Sequence, residues 1–153
     1  MQKITTFLTF NNQAEEAMRF YASVFKNSKI VSTMRFPEGG PAPKGSVLGG
    51  TIELEGQRFM VLNGGPYFTF AQGISLFVNC ETQGEIDDLW EKLSERGETQ
   101  QCGWLKDRFG VSWQIVPSIL GELLQSKDAG KAKRTMEAML KMSKFDIKTL
   151  RDA

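Results

Sequence analysis

The chain contains no histidine among its 153 residues. That absence removes Ser-His-Asp and Cys-His catalysis, in which an imidazole carries the proton, and every metal site that needs an imidazole nitrogen. Cysteine is scarce too: Cys80 and Cys102 are the only two, too far apart for a C-x-x-C redox or zinc motif. Two isolated thiols are expected to stay reduced in a cytoplasmic protein. Neither sign of charge is in surplus, with 19 Lys and Arg against 18 Asp and Glu. The field of a dedicated nucleic-acid binder is therefore missing. No apolar run approaches the ~20 residues of a membrane helix, and the first residues lack a basic stretch followed by an apolar one. The expectation is a soluble, cytoplasmic chain with no nucleic-acid or membrane partner.

Phosphate-binding glycine motifs are absent as well. Gly39-Gly40, Gly49-Gly50 and Gly64-Gly65 are paired glycines without G-x-G-x-x-G or P-loop spacing. They mark turns or close backbone approach, and Gly49-Gly50 inside a strand suggests a curved sheet or a bulge. What is present is one domain's worth of ordinary globular sequence, 41% hydrophobic.

Residues 4–10 are β-branched and aromatic and read as a strand. Asn11-Asn12 supplies an N-cap candidate, and Ala14, Ala17, Met18, Tyr21 and Phe25 recur at helical spacing. Strands are expected over 29–36, 47–54 and 58–62, the last two joined through a turn at Glu55-Gly56-Gln57. The second half repeats the plan: a strand over 74–79, then a helix capped by Thr82 with Glu85 three residues on. That helix carries Ile86, Leu89, Trp90 and Leu93 on one face and is expected to stop at Gly97. Short strands follow near 98–101, 104–106 and 112–116. Residues 1–65 and 74–117 thus each read β-α-β-β-β, an internal repeat that constrains the architecture.

From Pro117 the composition changes to a basic tail over 118–153, in which Ile119, Leu120, Leu123 and Leu124 read as a short amphipathic helix and, after a break at 126–130, residues 132–142 read as a second, with Met136, Met139, Leu140 and Phe145 on one side. Its cations are interleaved with acids and lack aromatic stacking partners, so it reads as a solvated helix packing its Met-rich side on the body or on a second subunit.

Asp87-Asp88 and Glu15-Glu16 sit in first helical turns, where the helix dipole alone explains them. Cys102 has no histidine to activate it. The densest stretch is residues 101–115, in which two strands join through Asp107-Arg108-Phe109-Gly110 and Gln114 is a polar residue on the second strand.

Paired β-α-β-β-β modules whose last strand follows a glycine turn resemble the vicinal-oxygen-chelate superfamily of glyoxalase I, bleomycin-resistance proteins and extradiol dioxygenases. Met18-Arg19-Phe20-Tyr21 with Phe25 resembles its F-Y signature, and Asp107 to Ile115 its D-x-x-G-x-x-x-E-[LIV] ending. Ala14-Glu15-Glu16-Ala17, residues 104–113 and the tail over 136–147 resemble the branch called 3-demethylubiquinone-9 3-methyltransferase-like. The resemblance implies an α+β fold of two curved sheets with a C-terminal helical extension, all in one glyoxalase-like domain. It also implies a homodimer in which each cup is completed by the partner.

Metal-dependent members take His and Glu ligands from the inner strands. Here the resemblance puts Gln114 at the final glutamate position, and the other three fall near Thr5 or Thr6, within Met60–Asn63 and within Gly73–Ser75. None is an imidazole or carboxylate, a poor donor set for Zn²⁺, Ni²⁺ or Fe²⁺. The expectation is a metal-free, cofactor-free cup that binds a small, partly aromatic molecule. Its binding residues are Gln114, Asn63, Thr5 and Trp104. The alternative is a metal-independent transferase or lyase working through Glu53, Lys106 or Cys102.

Overall fold

The computed structural model describes residues 2–153. The chain divides into two compact units, 1–69 and 70–153.

In the first unit, β1 (Thr6–Phe10) leads into α1 (Ala14–Val24), followed by β2 (Ser28–Arg35), β3 (Val47–Leu54) and β4 (Gln57–Asn63). The strands form one sheet in the order β1-β4-β3-β2, with β1 parallel to β4 and the other pairs antiparallel. The helix lays Ala14, Ala17, Met18, Tyr21 and Val24 against the inner faces of Leu8, Phe10, Ile52, Phe59 and Val61, all buried. Alternation along the strands leaves Phe7, Thr9, Met60 and Leu62 on the opposite, open face.

The turn between β3 and β4 is a two-residue loop in which Glu55 and Gly56 both adopt positive φ, +49° and +81°, the I′ geometry that matches strand twist. Gly49 and Gly50 mark close approach: a Cβ at Gly49 would lie 2.2 Å from the Val61 carbonyl oxygen, and one at Gly50 2.4 Å from that of Ser32. Bulges flank them, since the β2–β3 register skips Val31 and Leu48. The expected Asn11-Asn12 cap is corrected. Asn12 instead turns the chain at φ +59°, and Gln13 occupies the cap position without a side-chain bond.

The second unit repeats the plan with β5 (Leu76–Cys80), α2 (Gln83–Ser94), β6 (Glu98–Thr99), β7 (Trp104–Lys106) and β8 (Ser112–Pro117), in the order β5-β8-β7-β6. Half of the expected capping box forms: Thr82 Oγ1 accepts from the Glu85 N–H at 3.2 Å, while the Glu85 carboxylate accepts from the N–H of Glu81, one residue before the cap, and not from that of Thr82. Ile86, Leu89 and Leu93 bury against the sheet, whereas Trp90 is half-buried. Gly97 does not supply the positive φ that ends α2; Arg96 does, at +61°. Gly97 is needed for space, because a Cβ there would meet the Lys106 carbonyl oxygen at 2.2 Å.

The tail forms three helices, α3 (Ile119–Leu124), α4 (Ala129–Leu140) and α5 (Ile147–Asp152). It packs on its own unit. Gln83 donates to the Phe145 carbonyl and accepts from the Ile147 N–H, Ser143 bonds the Gln100 carbonyl, and the Lys144 ammonium reaches Asp87 at 2.8 Å. Phe145 is fully buried over Gly103. The single Met-rich face expected for the tail is corrected: Thr135 is the buried residue of α4, while Met136 and Leu140 point outward, 42% and 59% exposed.

No helix among the described residues is long and apolar enough to cross a membrane.

Candidate functional site

The two units use the same inner register. Phe7 faces Met60 across β1 and β4, and Phe77 faces Gln114 across β5 and β8. Thr51 faces Met60 across β3 and β4, and Trp104 faces Gln114 across β7 and β8. Gln114 and Met60 therefore hold equivalent positions in the repeat. Thr5 and Ser75, each two residues before the phenylalanine, are the other equivalent pair.

In the second unit this row is polar at its centre. Gln114 Nε2 donates to Ser75 Oγ at 2.9 Å, which ties the start of β5 to β8. Phe77 flanks Gln114 on one side and stands 53% exposed, and the half-buried Trp104 flanks it on the other. One pleat along β7, Lys106 lies on the same face, opposite the buried Ser112. The opposite face of the sheet is closed by Leu105, Trp113 and Ile115 against α2. Tryptophan and phenylalanine beside an amide, a hydroxyl and an ammonium make a surface suited to a planar ligand with a polar substituent.

Asn63 is otherwise engaged. Its Oδ1 accepts from the Ala14 N–H at 2.9 Å and its Nδ2 donates to the Val47 carbonyl at 3.0 Å. It is thus the missing cap of α1, reaching in from the end of β4, and its amide has both ends bonded to backbone. Thr5 lies just before β1, half-buried.

The alternative proton-transfer residues fall in three different settings. Glu53 pairs with Arg58 at 3.6 Å. Cys102 has φ +56°, and its thiol donates to the Met139 carbonyl within the tail contact. Lys106 alone stands on the open face of the second sheet. Cys80 is fully buried, and burial, reinforced by Glu85 and Glu81, pushes its thiol up to about 12.

Asp107 is the residue the motif concealed. Oδ1 accepts from the Phe109 and Val111 N–H groups at 2.9 and 3.0 Å, and Oδ2 accepts from the Trp113 indole at 2.9 Å. Only 3% exposed, it organises the β7–β8 hairpin from within. Its type and spacing, an aspartate opening a glycine turn, are the signals for that role.

The metal implied by the superfamily does not suit these donors. At the positions the resemblance implies, Gln114 is a neutral amide already bonded to the Ser75 hydroxyl, its first-unit equivalent Met60 is a thioether, and Thr5 offers a hydroxyl. Among the described residues no group of three or more Cys, Asp or Glu side chains gathers to hold a metal ion.

A concavity of about 450 Å³ lies elsewhere, at the α2 N-terminus and α5, lined by residues including Gln83, Asp146, Lys148 and Asp152. Its polar groups satisfy one another: Gln83 anchors the tail, Asp146 caps α5, and Lys148 pairs with Asp152. The open sheet face, with polar atoms still available, is the better candidate.

A family model described as 3-demethylubiquinone-9 3-methyltransferase matches residues 2–116. It ends before the tail, so the resemblance read into residues 136–147 is no part of that match. A PhnB protein from Bacillus cereus, whose description names the same methyltransferase, is 44% identical with a TM-score of 0.71, over 76% of this chain and 100% of its own. A protein from Pseudomonas aeruginosa is 22% identical with a TM-score of 0.62, over 76% of this chain and 98% of its own, a likeness of fold. Among curated proteins no match was found.

The methyl donor implied by the family's description has no matching cradle. The strand-to-helix connections, residues 11–13 and 81–82, contain no glycine, and neither sheet is the all-parallel sheet of a Rossmann-type methyltransferase. Each unit is an α+β module of β-α-β-β-β order, and the chain, matched over most of its length, belongs to the 3-demethylubiquinone-9 3-methyltransferase-like family.

Proposed function

We propose that this is a binding protein. It holds a small, partly aromatic molecule on the open face of the second sheet and uses no metal. The observation that carries the reading is the row Phe77–Gln114–Trp104, where the superfamily's glutamate position holds an amide bonded to Ser75. An amide orients a ligand by donating and accepting hydrogen bonds, but it neither ionises near neutral pH nor competes well for a transition metal. Trp104 supplies apolar area at low entropic cost, and Gln114 and Ser75 fix orientation. Thr5 belongs to the equivalent position of the first unit, and Asn63 contributes by holding α1.

The protein acts as a homodimer in this reading. The large apolar side chains left on the open face of the first sheet, with Phe7 50% and Met34 47% exposed, favour burial by a second copy.

Native mass spectrometry with metal analysis on the same sample tests both parts. The expected result is a metal-free dimer that carries or accepts a small organic mass. About one tightly held transition metal per chain would overturn the metal-free reading, and a monomer at micromolar concentration would overturn the dimer.

A further inference from the structure

The ligand face has a charge preference that its aromatic residues do not explain. Lys106 shares the face with Trp104, one pleat away on β7. It is half-buried, and among the described residues no carboxylate comes within ion-pair distance of its ammonium. The register places Glu98 opposite it on β6, the only acid facing it across the strands, yet no ion pair forms between them. Some other cations find acids, as Lys92 with Asp88 at 3.1 Å and Lys144 with Asp87 at 2.8 Å, and others without an ion pair, such as Lys29 and Lys133, are exposed where Lys106 is half-buried. A lysine kept half-buried beside a tryptophan, its charge uncompensated, is arranged for an anion brought from outside.

Spacing sets the rest of the ligand. Phe77 and Trp104 lie on strands either side of β8, so their rows are roughly 9.5 Å apart at the usual strand separation. A flat ring sandwiched between two side chains at van der Waals distance requires about 7–8 Å between them. One planar ring fits over Gln114, and a second stacked ring does not. Ser75 Oγ accepts from Gln114, so its own hydroxyl proton and Gln114 Oε1 remain available.

We infer that the ligand is a single-ring planar aromatic bearing an anionic group, its ring between Phe77 and Trp104 and its charge at Lys106. This rests on the binding reading above and names the ligand class.

The test uses benzoate and its neutral counterpart benzyl alcohol as probes, followed by the indole N–H resonance of Trp104 in the full chain. The three tryptophan signals are assigned by Trp→Phe variants. Benzoate should shift the Trp104 signal saturably and about tenfold more tightly than benzyl alcohol. Lys106→Met should abolish that preference, and Lys106→Arg should keep it, which separates lost charge from a damaged fold. Equal affinity for the two probes in the unaltered protein would overturn the anion assignment while leaving the binding face standing. The same holds if Lys106→Met keeps the benzoate preference. Failure of both probes to move Trp104 at millimolar concentration would overturn the assignment together with the binding reading.

Discussion

Asp107 shows how much a single carboxylate decides. It accepts three hydrogen bonds from a turn and an indole, all out of water. Asp107→Ala would strand those donors in a buried hairpin, an expected loss on the order of 3 kcal/mol in urea unfolding. Trp113→Phe removes one of the three bonds and should cost less. The two cysteines differ just as sharply. Cys80 is fully buried with its thiol raised to about 12, whereas Cys102 is partly exposed. A thiol reagent at neutral pH should therefore label one cysteine per folded chain, Cys102, and the second only on unfolding. Because the folded value of Cys80 lies above the ordinary 9.0, the stability linked to its protonated form is complete below pH 9 and is lost as pH rises toward about 12.

At the scale of elements, the tail is the feature that sets this chain apart from its family match, which ends at residue 116. It is held to α2 by Gln83 and by the Lys144–Asp87 pair, and α5 is capped by Asp146 accepting from the Thr149 N–H. The bond from Lys144, then that from Gln83, holds the Asp87 carboxyl below its ordinary 3.8. The backbone bond from Thr149 does the same for Asp146. A depressed carboxylate stabilises the fold above the unfolded value and loses that contribution as pH falls through the folded one. Protection of tail amides against hydrogen exchange should therefore be unchanged from pH 7 to about 5 and fall below 3.8, with Lys144→Ala weakening the anchor at every pH in between. Phe145→Ala empties a fully buried site over Gly103 and should cost roughly 3 kcal/mol or more by chemical denaturation.

At the scale of the whole molecule, the expectation is a dimer that persists on dilution to micromolar concentration in light scattering. Phe7→Lys, which puts a charge on the open face of the first sheet without touching its core, should shift that equilibrium toward monomer.

The architecture was legible because it rests on local periodicity. The paired β-α-β-β-β order, the Glu55-Gly56 turn, the Thr82 cap and the apolar faces of α1 and α2 all follow from residues within a few positions of one another. Gln114 stood out for the same reason, as a polar residue in an alternating strand. What the sequence could not disclose are partners brought together over distance. Asn63 caps a helix 49 residues earlier, and Gln114 bonds a serine 39 residues earlier. Phe145 is swallowed by a glycine on another strand turn. Hydrogen-bonding capacity is written in residue type, but which partner consumes it depends on register, and register is a property of the folded sheet. From the residue list alone it follows that no imidazole can serve any site in this chain, since it holds no histidine. That Ser75, Phe77, Trp104 and Lys106 gather around Gln114 emerges on folding, because strand pairing, not chain order, sets which side chains share a face.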